Sequence, residues 1–329
     1  MNRKHLISLA IGAVVSGGLL VLALSRVNFH DLGKALASAQ PLWVGGLVLG
    51  AVVTLAVRAW RWRVLLPAKG VPVWTYFRLA TIGLAVNNVL PLRLGEVVRA
   101  VFAAEELDLP MVTVLASILI ERLLDAFTIL GLFLVLTSPH AQIPWVAHMR
   151  RGLAPLFGVL AVAFVVAYFI ETVLERSAVL DSALKRYPRV HKLYEQLMLG
   201  FRPLKNPWTA AQILVSGLLL WLADINNYWM GGQAIDLGVP LPFTYAVVAL
   251  ASAGFSTVVP TVPGYIGVYE AVVSESVKPL GASTENAFAY AVVIHMVAFL
   301  FTTALGLYFL YRDGTSLMDV WRKALEKRS

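Results

Sequence analysis

Arg93, Glu96 and Arg99 stand three residues apart in the stretch AVNNVLPLRLGEVVRAVF (85–102), inside sequence that is otherwise almost all Val, Leu and Ala. That spacing places the three side chains along one face of a helix beginning near Leu94. A guanidinium or carboxylate near the middle of a bilayer costs at least a few kcal/mol, so such residues face a cavity, pair with one another or bind something. Two readings stay open. In one, Glu96 neutralises Arg93 or Arg99 and pins a turn. In the other, the trio's excess positive charge beside a half-helix N-terminus holds a phosphate, with Asn87 and Asn88 adding hydrogen-bonding groups.

A second cluster, ERLLD, puts Glu121, Arg122 and Asp125 near the middle of a long apolar run. Glu121 and Asp125 share a helix face, and Arg122 lies three before Asp125, so an internal salt bridge or a lock to the first cluster is expected. A third stretch, PTVPGYIGVYEAV (260–272), offers Tyr265, Tyr269 and Glu270. Glu270 is the strongest of these, because an acid in a neutral segment must find a cation or a proton. Asp224, Asn226 and Asn227 in WLADINNYW (221–229) read as helix-to-helix hydrogen bonds, and His295 as an interior histidine.

What must position these groups is a membrane. Of 329 residues, 59% are hydrophobic and 14% charged, and the mean hydropathy is +0.75, far from the composition of soluble domains. Apolar runs long enough to cross a bilayer are 6–25, 42–62, 112–137, 152–171, 209–230 and 284–311. The first follows Arg3 and Lys4 but exceeds a signal-peptide core and reads as an uncleaved helix. Regions 73–110 and 241–280 are apolar but break in the middle. Residues 172–206 read as an amphipathic surface helix, from Val190, Leu193, Tyr194, Leu197, Met198 and Phe201 at helical spacing.

If both broken regions enter and leave on one side, the alternate segments 1–5, 58–78, 172–208 and 312–329 hold 19 Lys and Arg, against 5 on the opposite side. The bias puts both termini and 172–206 in the cytoplasm. It also makes 42–137 and 209–311 inverted repeats, each a span, a re-entrant region and a span. The breaks echo one another in NNVLP (87–91) and STVVP (256–260). Pro91, Gly95, Pro260, Pro263, Gly264 and Gly267 are the expected hinges, because Pro removes a backbone donor and Gly relaxes dihedral limits. Broken helices at matching positions in two halves point to a transport site near mid-membrane.

The sequence has 0 Cys and a net charge of +8. Thiol chemistry and cysteine-ligated metals are thereby excluded, and the basic residues flank apolar spans rather than form a nucleic-acid-binding domain. No H-E-x-x-H, G-x-S-x-G, Walker A or dinucleotide motif occurs. The expectation is a non-enzyme with no cofactor and no metal.

RAWRWRVLL (58–66), NNVLPLRLGEVVRA (87–100), ERLLD (121–125) and PTVPGYIGVYEA (260–271) together resemble the transmembrane, flippase-like region of the lysylphosphatidylglycerol synthase family, also called the multiple peptide resistance factor family. The four motifs occur in family order over nearly all of the chain. The resemblance implies an all-α polytopic membrane fold with about six full spans and two re-entrant broken-helix hairpins, in a prokaryotic cytoplasmic (inner) membrane. It carries Arg93, Glu96, Arg99, Glu121, Arg122, Asp125 and Glu270 over as cavity residues. Without the soluble aminoacyl-transferase domain of two-part members, a stand-alone chain is not expected to make lysylphosphatidylglycerol itself.

The leading expectation is a lipid flippase for a phospholipid or a polyisoprenoid-linked lipid. A proton-coupled transporter of a small anion and a non-transporting scaffold for a separate lipid-modifying enzyme are the alternatives. Nothing in the sequence singles out a homo-oligomer face.

Overall fold

A computed structural model of the chain describes residues 28–66, 68, 70–90, 94–176 (side chains to 162), 195, 196, 199, 202–256 and 262–314, with 18, 21 and 25 besides. Most of the run 6–25, the amphipathic pattern in 172–206, and Pro91, Arg93 and Pro260 lie outside the described residues.

Within them the protein is all-helical. The helices are α1 (Phe29–Ala37), α2 (Pro41–Leu65), α3 (Val73–Val89), α4 (Leu94–Glu106), α5 (Met111–Leu136), α6 (Pro144–Arg176), α7 (Pro207–Ala234), α8 (Phe243–Ser256), α9 (Val268–Val277) and α10 (Thr284–Arg312). Three of them, α2, α7 and α10, are long and apolar enough to cross a membrane by length and composition. Helix α5, with 26 residues, is as long, but Glu121, Arg122 and Asp125 interrupt its apolar surface.

The two broken regions fold as pairs of short helices. At 1.5 Å per residue, α3 reaches about 25 Å, α4 and α8 about 20 Å and α9 about 15 Å, against roughly 30 Å of hydrocarbon. Each pair doubles back on itself. The Arg78 guanidinium near the start of α3 pairs with Glu106 at the end of α4, and also with Asp313 just past α10. Likewise the Tyr245 hydroxyl at the start of α8 donates to the Ser276 carbonyl at the end of α9 (3.0 Å).

Small residues set the closest approaches. A side chain at Gly95 would meet the Gly83 carbonyl at 1.9 Å, so α3 and α4 touch backbone to backbone. A Cβ at Gly306 of α10 would meet the Ala85 Cβ at 2.3 Å and the Thr81 carbonyl at 2.8 Å, both on α3. Helix α2 packs along α7, where Gly50 seats Asn227, Thr54 donates to Asp224 (3.1 Å) and Asn227 donates to Thr54 (3.4 Å).

Two features differ from the sequence expectation. The segment 26–41 contains α1, whose N-cap Asn28 accepts from the His30 and Asp31 amides; α1 packs on α10, with the Asn28 amide donating to Glu285 (3.3 Å). Helix α2 also runs through to Leu65, and Arg58 and Arg61, counted above as loop charges although they fall within the run 42–62, belong to it; Arg61 is 0% exposed. Moving these two out of the loop count leaves 17 basic residues against 5.

Candidate functional site: an arginine cluster between α2, α4 and α5

Glu121 of α5 is 0% exposed and is surrounded by guanidiniums from three helices. Its Oε2 accepts from Arg99 of α4 at 2.6 Å, and its Oε1 accepts from Arg58 and Arg61 of α2 at 3.3 Å each and from Arg122 at 3.1 Å. One helical turn on, Asp125 is held by Arg61 at 2.7 Å and by the Trp221 indole of α7 at 3.0 Å.

Distances divide the cluster into two parts. Arg99–Glu121 and Arg61–Asp125 are tight and buried, and the Arg99 guanidinium also stacks 3.6 Å over the Trp62 ring, whose indole donates to Ser117. These contacts fix α2, α4 and α5 to one another. Glu121 Oε1 is shared among Arg58, Arg61 and Arg122 at 3.1–3.3 Å, and three further pairs are loose: Arg58–Asp125 at 3.8 Å, Arg122–Asp125 at 3.6 Å and Arg122–Glu96 at 3.8 Å. Their open end is formed by the Arg122 and Glu96 side chains, 41% and 39% exposed. Glu96, on the same helix face as Arg99, therefore turns to Arg122.

The cluster is rich in donors and poor in acceptors. Four guanidiniums carry about 20 N–H groups, whereas the two buried carboxylates offer roughly eight lone-pair sites. The Nε atoms of Arg58, Arg61, Arg99 and Arg122 are buried with no hydrogen-bond partner among the described residues, against one unpartnered acceptor, Asp125 Oδ2. Buried donors of this kind call for an acceptor.

The other expected site residues lie elsewhere. Asn87 accepts from the Gly95 amide (2.7 Å), bridging the break, and Asn88 donates to Thr303 of α10 (2.9 Å). Glu270 is 3% exposed; its Oε2 accepts from the Gly267 amide (2.7 Å), capping α9, and its Oε1 meets His295 Nδ1 at 2.6 Å. The Tyr269 ring stacks on His295 at 4.0 Å, and its hydroxyl meets that of Tyr228 at 2.7 Å. Gly264 (φ 74°) and Gly267 (φ 93°) adopt left-handed backbone in the second break, after Pro263.

The two breaks meet. A Cβ at Gly264 would lie 2.6 Å from Phe299 and 3.4 Å from the Asn88 carbonyl. Glu270 and Tyr269 thus belong to a second polar centre, on α7, α9 and α10. Neither centre forms a group of His, Asp and Glu that could hold a metal, among the described residues.

Arg58 and Arg61 are absent from the residues expected at a site, although they repeat the three-residue spacing of Arg93, Glu96 and Arg99. His295 was expected only as an interior histidine, and it is the partner of Glu270.

Residues 8–306 match the family model described as the lysylphosphatidylglycerol synthase TM region. Two proteins of Methanothermobacter thermautotrophicus, both named UPF0104 membrane protein, are similar. One is 22% identical over 97% of this chain and 98% of its own length, and the other 26% identical over 78% of each. No solved structure matches.

Proposed function

The chain belongs to the lysylphosphatidylglycerol synthase TM region family, and from that premise we propose that it moves a lipid with a phosphate-bearing or otherwise polar headgroup between membrane leaflets. The two hairpins, 73–110 and 241–280, are re-entrant within inverted repeats 42–137 and 209–311. Both termini face the cytoplasm, and the work is transport rather than catalysis.

The observation that carries this reading is the surplus of buried guanidinium N–H groups at Arg58 and Arg122, beside an opening formed by Arg122 and Glu96. A phosphate supplies the missing acceptors and matches the guanidinium fork. It displaces only the loose pairs, while Arg61–Asp125 and Arg99–Glu121 keep the helices in place. Arg93, three residues before Glu96, adds further positive charge. The lipid's chains remain in hydrocarbon while its headgroup follows the polar centre between the hairpins. A small-anion transporter sealed from lipid receives less support, because Arg122 and Glu96 lie open at the protein surface.

Reconstituted vesicles with a fluorescently labelled phosphatidylglycerol test this. Arg122→Gln loses charge-assisted bonds worth about 1.5–3 kcal/mol each, so transport falls about 10- to 150-fold while the protein stays folded. Unchanged transport in a folded Arg122→Gln protein rules the phosphate site out.

A further inference from the structure

Away from the arginines, a cavity of about 620 Å³ opens between the start of α6, the α8/α9 hairpin and the start of α10. That volume is within the range of small-molecule sites. Trp145, Met149, Phe255, Ala271, Val272 and Phe288 form its apolar walls.

The cavity has little to offer a hydrophilic guest. Three serines line it, and each hydroxyl is spent on its own helix: Ser252 donates to the Val248 carbonyl (2.8 Å), Ser274 to Ala271 (3.1 Å) and Ser276 to Val273 (2.6 Å); the polar groups left are Thr284, at the start of α10, and the buried Trp145 indole N–H. Charge appears only at one end, where Lys278 pairs with Glu275 at 2.6 Å and the Glu275 side chain is 61% exposed. That end is the turn between α9 and α10, which the re-entrant topology proposed above puts at a membrane surface. At the other end Phe255, 47% exposed, adjoins the second break. Polarity therefore runs from a charged pair at the surface to an apolar slot directed toward mid-membrane, which is the polarity profile of a membrane lipid. In a chain of this family the medium at the slot is hydrocarbon, and apolar space of this kind does not hold water.

We infer that this cavity holds one hydrocarbon chain of a membrane lipid, with the lipid's headgroup at the Glu275–Lys278 end. The chain lies along the face of α9 carrying Ala271 and Val272 and so packs against the second hairpin. Occupancy does not require transport, and the cavity is separate from the arginine cluster.

The test is photolabelling of the full chain in vesicles containing a phosphatidylglycerol with a diazirine on one acyl chain, with adducts mapped by mass spectrometry. Met149, Val272 and Phe255 are expected to label several-fold more than Leu49 and Leu300, which are exposed on α2 and α10. Ala271→Trp fills the slot and removes that excess, leaving Leu49 and Leu300 unchanged; Met149→Trp does the same from the opposite wall if the first variant does not fold. Equal labelling of slot and surface, or an excess that survives both substitutions, overturns the inference. Slot labelling without lipid movement keeps the slot and refutes the flippase reading. Lipid movement without slot labelling does the reverse.

Discussion

The two broken hairpins face one problem and solve it with different chemistry. A half-helix starting inside a membrane exposes backbone N–H groups with no intrahelical partner and no water to take them. In the first hairpin a neutral amide, Asn87, accepts from the Gly95 amide across the break. In the second, the carboxylate of Glu270 accepts from the Gly267 amide and meets His295 Nδ1 at 2.6 Å. The start of α9 is thus already occupied by an internal anion. At the start of α4 the side chain of Glu96 instead turns to Arg122, 3.8 Å away, at the open end of a donor-rich cluster. A similar helical layout therefore yields one half with an open, donor-rich cluster and one half whose helix start is capped from within.

Substitutions that remove charge from each half separate them most clearly. Arg61→Gln leaves Asp125 without its tight partner in a buried site, a loss of roughly 3–5 kcal/mol. The protein should fail to accumulate as a monodisperse species on fluorescence-detected gel filtration, and normal yield with normal thermal stability would mean the arginine frame is dispensable. Gly95→Ala comes next. Its methyl group meets the Gly83 carbonyl at 1.9 Å, and overpacking of this kind costs about 1–3 kcal/mol. A lowered melting temperature is expected; Gly264→Ala lowers it as well, through its left-handed φ of 74° and the Phe299 ring 2.6 Å from the added carbon. The smallest effect is expected from Glu270→Gln. The amide oxygen still accepts from Gly267 and only the carboxylate contact with His295 is lost, so stability falls by about 1 kcal/mol and movement of an anionic lipid is unaltered. Abolished transport in a stable Glu270→Gln protein would erase the contrast between the halves.

Much of this was legible in the sequence, for identifiable reasons. Breaks at NNVLP and PGYIG are marked by residue types that cannot continue a helix, and ERLLD stands out because charge is rare in a span. Arg58 and Arg61 were less visible. They stand at the end of the run 42–62 and precede Arg63 and Lys69, which makes the stretch look like the start of a basic loop; their ion pairs with Glu121 and Asp125, 60 or more residues away, are what bring them inside. Their three-residue spacing, interleaved with Trp60 and Trp62, was the available signal. The Glu270–His295 pair was hidden for another reason: the partners are 25 residues apart on different helices, and no local pattern joins them. Helix α1 could have been read from Asn28 as an N-cap with Asp31 in the first turn.

The contacts also differ in when they become available during synthesis, which proceeds from the N-terminus. Every charged member of the arginine cluster lies between Arg58 and Asp125, so its ion pairs can form before the second half of the chain exists. The contacts that cover α3 come last: Asn88 bonds to Thr303, 215 residues later, and Arg78 to Asp313, 235 residues later. A nascent chain stopped before α10 would therefore hold its charges paired but leave the first hairpin bare on one side, and that intermediate is where a membrane chaperone or premature degradation would act.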